Sequence, residues 1–230
     1  MSKYKTILFR TDDMNGAIAE VVLKTVTARK FLHETVICEA SQMSMELESF
    51  LTSGKYMNYS RVYIVGAGFD KNIAEKIDLI MQEEPIEFVY RDHHESSLDL
   101  SKYMWGRILL FDAYGNPISS SKNLFRDLVD RDNNRYIRLS LLVDMSNASI
   151  TGYTPIEDEH NKKMIEELYQ LAGSSEKFAQ NLIEKIMSED AFFNEADIIA
   201  KIEAERRARE EEEEQRRALK EKFKRRNTGL

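Results

Sequence analysis

One feature constrains this chain more than any other. Across its first 113 residues, short runs of Val, Ile, Leu and Phe alternate with stretches of helical spacing. The apolar runs fall at residues 6–10, 35–39, 61–66, 86–91 and 107–113. Between them, Ala17, Val21, Val22 and Thr25 recur along one helical face, as do Ile73, Ile77 and Ile80. Strands that read as near-continuous hydrophobic runs are buried on both faces. The predicted fold is therefore α/β, a parallel sheet with helices on both sides. Such a sheet carries its binding groups on the loops that follow the carboxyl ends of the strands.

The pattern changes at Tyr114-Gly115-Asn116-Pro117, a strong turn signal. Beyond it only helical patterns remain, over 119–130, 135–144, 158–171, 174–188 and from 194 onward. The expected organisation is an α/β domain over 1–150, a helical extension over 151–192, and a charged helical or disordered tail over 193–230. Charged residues make up 32% of the chain, with the excess concentrated in that tail. Its apolar residues past Ile202 are too sparse for a heptad seam, so a coiled coil is not expected. Glu and Arg at i, i+4 spacing can keep the segment helical in water. Its basic end, Lys220, Lys222, Lys224, Arg225 and Arg226, suits an acidic protein partner or a nucleic acid, and a solvated surface equally well.

A net charge of −7 argues against a generally basic nucleic-acid surface without excluding a local patch. The single cysteine, Cys38, excludes an internal disulfide and sits in a strand-like run, where a packed thiol is expected. No apolar run approaches the roughly 20 residues that span a bilayer. The first residues lead straight into a strand without an apolar signal region. The expectation is a soluble, cytoplasmic protein.

Three loops concentrate the chemistry. The first, Thr11-Asp12-Asp13-Met14-Asn15-Gly16, follows the first strand and opens a helix; the second, Gly66-Ala67-Gly68-Phe69-Asp70, follows the third; the third, Asp92-His93-His94, follows the fourth. In a parallel sheet all three lie at one edge and can converge. Asp13 and Asn15 also read as caps of the helix opening at Gly16, and the two histidines as surface residues. A helix N-terminus at Gly16 beside His94 would suit an anion. Ser119-Ser120-Ser121-Lys122 contains a Ser-x-x-Lys spacing, which alone is too common to imply a nucleophile. Tyr103 and Trp105 read as core and rim.

The order and content of these loops resemble the DHH phosphoesterases, with Asp92-His93-His94 as the signature. The resemblance covers about residues 4–145, with weaker similarity in the helices to about residue 190. It implies two divalent ions that clamp a phosphate and generate a hydroxide, held by four carboxylates and two histidines. Residue by residue, the implied ligand set is incomplete. Thr11 stands where the first-loop histidine would be, Asn15 where the second aspartate would be, and Gly66 where the bridging aspartate would be. Asp13 and His93 match, and Asp144 is the later aspartate. Without the bridge, two adjacent 2+ charges are not neutralised. The ligands left, Asp13, Asn15, His93 and Asp144, allow at most one weakly held Mn2+ or Mg2+, or no cofactor. The glycine-rich motif of the family's second domain is absent as well. The resemblance thus implies a degenerate, non-catalytic relative that binds a protein partner through the helices and tail, or a nucleotide or nucleic-acid end in the remnant pocket. Its rival is a divergent metal-dependent phosphodiesterase acting on short oligonucleotides or cyclic dinucleotides, with Asp13, His93 and His94 as the candidate catalytic groups. Small size and a degenerate core suit a phage protein.

Overall fold

The computed structural model describes residues 5–27, 32–128, 134–153 and 159–187, together with Arg207 and Arg217. These segments, the two arginines apart, lie within the first of two compact units, Met1–Ala191; the second is Phe192–Leu230. The basic tail residues Lys220, Lys222, Lys224, Arg225 and Arg226 lie outside the described residues.

A five-stranded, all-parallel sheet organises the first unit. Its strands are β1 (Lys5–Thr11), β2 (Leu32–Cys38), β3 (Arg61–Val65), β4 (Glu87–Asp92) and β5 (Gly106–Ile108), in the order β2-β1-β3-β4-β5. The helices are α1 (Met14–Thr27), α2 (Met43–Thr52), α3 (Lys71–Glu83), α4 (Ser120–Leu128), α5 (Asn134–Thr151), α6 (Glu159–Ala172) and α7 (Ser175–Met187). None among the described residues is long and apolar enough to cross a membrane.

The central strands β1 and β3 are covered on both faces, which is why they are buried along almost their whole length. On one face, Ile7, Phe9, Ile64, Phe88 and Tyr90 pack with Met43, Leu47, Phe50, Ile73 and Ile77 from α2 and α3. Phe9 and Phe50 meet edge to face at 5.0 Å. The opposite face carries α1, which packs in turn against α4 and α7. Helix α1 is buried almost all round, from Asn15 to Leu23, because it lies between the sheet and these C-terminal helices. Deleting a side chain such as Leu47 or Ile77 should cost about 2–5 kcal/mol, the usual effect of opening a core cavity.

The elements depart from the sequence reading at β2, which begins at Leu32 where the expected run began at 35, and in three further places. The fifth strand pairs over three residues instead of seven: after Ile108 the chain turns away, and Asp112 accepts the backbone N–H groups of Tyr114 and Asn116 at 2.8 and 3.0 Å. Helix α5 continues to Thr151, where the expectation ended at 144. Ser146 and Thr151 donate to carbonyls one turn back, at 2.9 and 2.7 Å, satisfying polar side chains inside the helix. Helix α2, which sequence reasoning did not place, buries Met43, Leu47, Phe50 and Leu51.

Candidate functional site

Register brings the three loops together. Strands β1, β3 and β4 are adjacent and parallel, with Arg10 opposite Val65 and Val65 opposite Arg91. Thr11, Gly66 and Asp92 therefore emerge side by side at the carboxyl edge.

The first loop is folded back on itself. Asp13 Oδ1 accepts the Gly16 N–H at 2.7 Å and the Thr11 hydroxyl at 2.8 Å, so Asp13 caps α1. Both donors use one oxygen, and the carboxylate remains exposed. The capping bond also occupies the Gly16 N–H, removing it as an anion donor. A Cβ at Gly16 would stand 2.1 Å from the Thr11 carbonyl oxygen, so only glycine fits. Asn15 is buried; its Oδ1 accepts the Ser121 N–H at 3.0 Å, while its Nδ2 has no hydrogen-bond partner.

Gly66 occupies the second loop at φ 96°, a left-handed backbone that disfavours any side chain. A Cβ there would lie 2.7 Å from Thr11 Oγ1 and 3.3 Å from Asn15 Nδ2. Thr11 and Asn15 thus fill the space toward which a side chain at 66 would point.

The third loop is built on a buried carboxylate. Asp92 is 0% exposed. Its Oδ2 accepts from the Tyr90 hydroxyl at 2.9 Å and the Ser97 hydroxyl at 2.5 Å; its Oδ1 meets His94 Nδ1 at 2.8 Å and the Ser120 hydroxyl at 3.2 Å. Burial alone would raise its pKa, but the bonds from His94 and Ser97 outweigh it and hold the carboxyl below its usual range. The Ser120 oxygen also lies 2.7 Å from His93 Nδ1. Both imidazoles are therefore anchored through Nδ1, and their centroids stand 4.1 Å apart. They differ in solvation: the His93 side chain is 16% exposed and that of His94 49%. Burial and the neighbouring His94 push the His93 pKa down, whereas the bond to Asp92 pushes that of His94 up. The charge of Asp13 reaches both rings.

The ligand set implied for two ions does not assemble. Asp92, His93 and His94 form the one compact His/Asp group that could hold an ion among the described residues. Asp92 is already saturated by four side-chain donors. The carbonyl of Asn15 is committed to Ser121, and position 66 has no carboxylate. Asp144 is exposed, pairs with Lys122 at 2.9 Å and accepts from Ser140 at 3.3 Å. What remains is Asp13 with the outer nitrogens of His93 and His94.

Sequence reasoning missed the buried polar layer behind these groups. Arg10 is 0% exposed; its Nε donates to Glu20 at 2.7 Å and its Nη1 to Thr11 O at 3.1 Å and Ser175 Oγ at 2.9 Å. Ser175, the first residue of α7, donates in turn to Asp12. Glu20 is shared with Lys24 at 2.6 Å and Thr35 at 3.1 Å. An arginine closing an apolar strand gave no sign that it would be buried; Glu20 on the apolar face of α1 was the available clue. Cys38 is buried, and burial with the nearby Glu46 raises its pKa to about 11. Trp105 is core, stacked on Tyr103 at 4.9 Å.

No protein-family model and no curated protein matches the chain. Among solved structures, an uncharacterized protein from Helicobacter pylori G27 is similar over 82% of this chain and 58% of its own, with 16% identity and a TM-score of 0.57. RecJ from Thermus thermophilus in complex with Mn2+ is similar over 96% of this chain and 37% of its own, at 13% identity and a TM-score of 0.49. An exonuclease RecJ bound to manganese is similar over 95% and 66%, at 12% identity and a TM-score of 0.47. The chain spans less than two thirds of the length of each. At these identities the likeness is one of fold.

Proposed function

We propose that this chain is a degenerate DHH-type phosphoesterase that binds a phosphate-bearing ligand, a nucleotide or nucleic-acid end, without hydrolysing it, and acts as a regulatory factor. The observation that carries the reading is the packing at Gly66. Where the resemblance calls for a bridging carboxylate there is a left-handed glycine, and its missing side chain would run into Thr11 Oγ1 at 2.7 Å. In a two-metal phosphoesterase site, two closely spaced ions clamp the attacking and leaving oxygens. Here the positions that would hold them are turned into hydrogen bonds within the protein. The outer nitrogen of His94, half exposed and favoured in its protonated form by Asp92, is the group best placed to meet a phosphate oxygen. The helical extension and basic tail would serve a protein partner.

Calorimetry with Mn2+ and His93→Ala as control tests the site, together with release of mononucleotides from a labelled oligonucleotide. The reading expects weak or no Mn2+ binding and no release. Release that Asp13→Ala abolishes would establish the phosphodiesterase instead.

A further inference from the structure

The second and third loops also frame a cleft outside the histidine cluster. It has a volume of about 500 Å³ and lies between the start of α3 and the 3-10 helix Glu95–Lys102 that follows His94. Ser96 stands on its wall, and two residues of chain hold its Cα to at most about 7.6 Å from that of His94. The apolar part of the lining is Phe69 and the buried Leu100. Two further rings hold Phe69 in place: Tyr90 meets it edge-on at 4.9 Å and 67°, and Trp105 lies nearly parallel to it at 6.2 Å and 12°. Tyr90 in turn donates to Asp92 at 2.9 Å, and Asp92 holds His94 at 2.8 Å. The cleft and the exposed imidazole are thus linked by one path of direct contacts.

The charges on the rim decide what the cleft can take. Lys71 and Lys102 supply two cations, Asp70 and Asp99 two anions, and all four are exposed. Their sum is zero, so the cleft offers no net attraction to a phosphate. The Asp70 carboxylate stands at the N-cap of α3 without bonding a backbone N–H of that helix. An ionised carboxylate only accepts hydrogen bonds and an ammonium only donates them. An aromatic floor ringed by both kinds of partner suits a flat, uncharged ring system that carries donors and acceptors.

We propose that this cleft binds the nucleoside of the ligand whose phosphate meets His94, with the base against Phe69 and the sugar hydroxyls donating to Asp70 and Asp99. Only the position of the phosphate rests on the phosphate-binding reading above; the cleft would hold a nucleoside without one.

Calorimetric titration of the full chain with adenosine, AMP and inorganic phosphate, each alone, is the test. Adenosine should bind, and AMP should bind at least about fivefold more tightly than phosphate, the lower end of what one base–aromatic stack contributes. Phe69→Leu keeps the lining apolar and removes the stacking face. It should weaken adenosine and AMP by at least about fivefold and leave phosphate unchanged. Asp99→Ala, at an exposed position outside the core, should weaken adenosine and AMP by about three- to tenfold, the effect of one hydrogen bond. Trp105 is the single tryptophan and lies beside Phe69, so its fluorescence should change as adenosine is added to the parent chain. No adenosine binding, with equal affinities for AMP and phosphate, would overturn the nucleoside subsite and leave the phosphate-binding reading intact. Adenosine binding of parent strength by both variants would overturn it equally. Adenosine binding without phosphate binding would support the cleft and sink the phosphate reading instead. If none of the three binds, both fail.

Discussion

Restoring the missing bridging carboxylate, by Gly66→Asp, should damage the protein and not revive an enzyme. The cost can be built from the local geometry. A non-glycine residue at φ 96° forfeits about 1–2 kcal/mol through contact between its Cβ and the backbone. The new Cβ would also stand 2.7 Å from Thr11 Oγ1, a distance that forces one of them to move. Thr11 is buried and its hydroxyl is bonded to Asp13 at 2.8 Å, so displacing it sacrifices a hydrogen bond of about 1 kcal/mol. A second carboxylate near Asp13 adds repulsion, giving a total of about 2–4 kcal/mol. In urea, with a slope of about 2 kcal/mol per molar, the midpoint should fall by roughly 1–2 M. Gly66→Ala carries the same Cβ without the charge and should account for most of the loss. Thr11→Ala should partly relieve it, with a coupling of about 1 kcal/mol between the two sites. A stability for Gly66→Ala within about 0.5 kcal/mol of the parent would refute the packing argument. Mn2+-dependent hydrolysis by Gly66→Asp would refute the functional one.

Three further outcomes follow from the buried polar groups. Arg10→Met leaves Glu20 without its buried partner and should cost about 3–5 kcal/mol by thermal or urea unfolding, whereas the double change Arg10→Met/Glu20→Leu should cost clearly less; equal losses would argue against the pair. Asp92→Asn weakens four bonds to a buried carboxylate and should cost about 2–4 kcal/mol at neutral pH. Because the folded-state pKa of Asp92 is depressed, its contribution is fully present above the unfolded value of about 3.9 and fades as pH falls through the folded value. The gap between parent and variant should be largest at about pH 5–6, close in acid as Asp92 takes up a proton, and narrow above about pH 6.5 as His94, whose raised pKa depends on Asp92, gives up its own; a gap that widened in acid would contradict the assignment. Cys38, with its pKa near 11, should resist a thiol-specific disulfide reagent at pH 8 until the protein is unfolded, and rapid labelling of the native chain would show the burial to be wrong.

Much of the fold was legible because a sheet covered on both faces writes itself as uninterrupted apolar runs, and β1, β3 and β4 lie within a residue of those runs. Leu109, Leu110 and Phe111 continued the fifth run in composition, yet the turn around Asp112 takes them out of the sheet, and apolar character alone does not distinguish the two outcomes. Helix α2 carries a readable helical spacing at Met43, Leu47, Phe50 and Leu51. The first and third loops were placed in the right neighbourhood by topology. Sequence could not reveal the direction of individual polar atoms: Asn15 turning its carbonyl to Ser121, Asp144 turning to Lys122, Ser120 standing between Asp92 and His93. Those choices depend on partners far along the chain, 106 residues away for Asn15, and no local pattern encodes them.

The bond from Arg10 to Ser175 joins residues 165 positions apart. At ordinary ribosomal speeds of about 5–20 residues per second, roughly 10–30 s separate the synthesis of one from the other. Throughout that interval the first loop has Glu20 within its own neighbourhood but not the helix that fixes Asp12. The pocket is therefore among the last parts of the protein to reach its final shape, and a nascent or truncated chain ending before α7 would present the strand edge with an unfinished site.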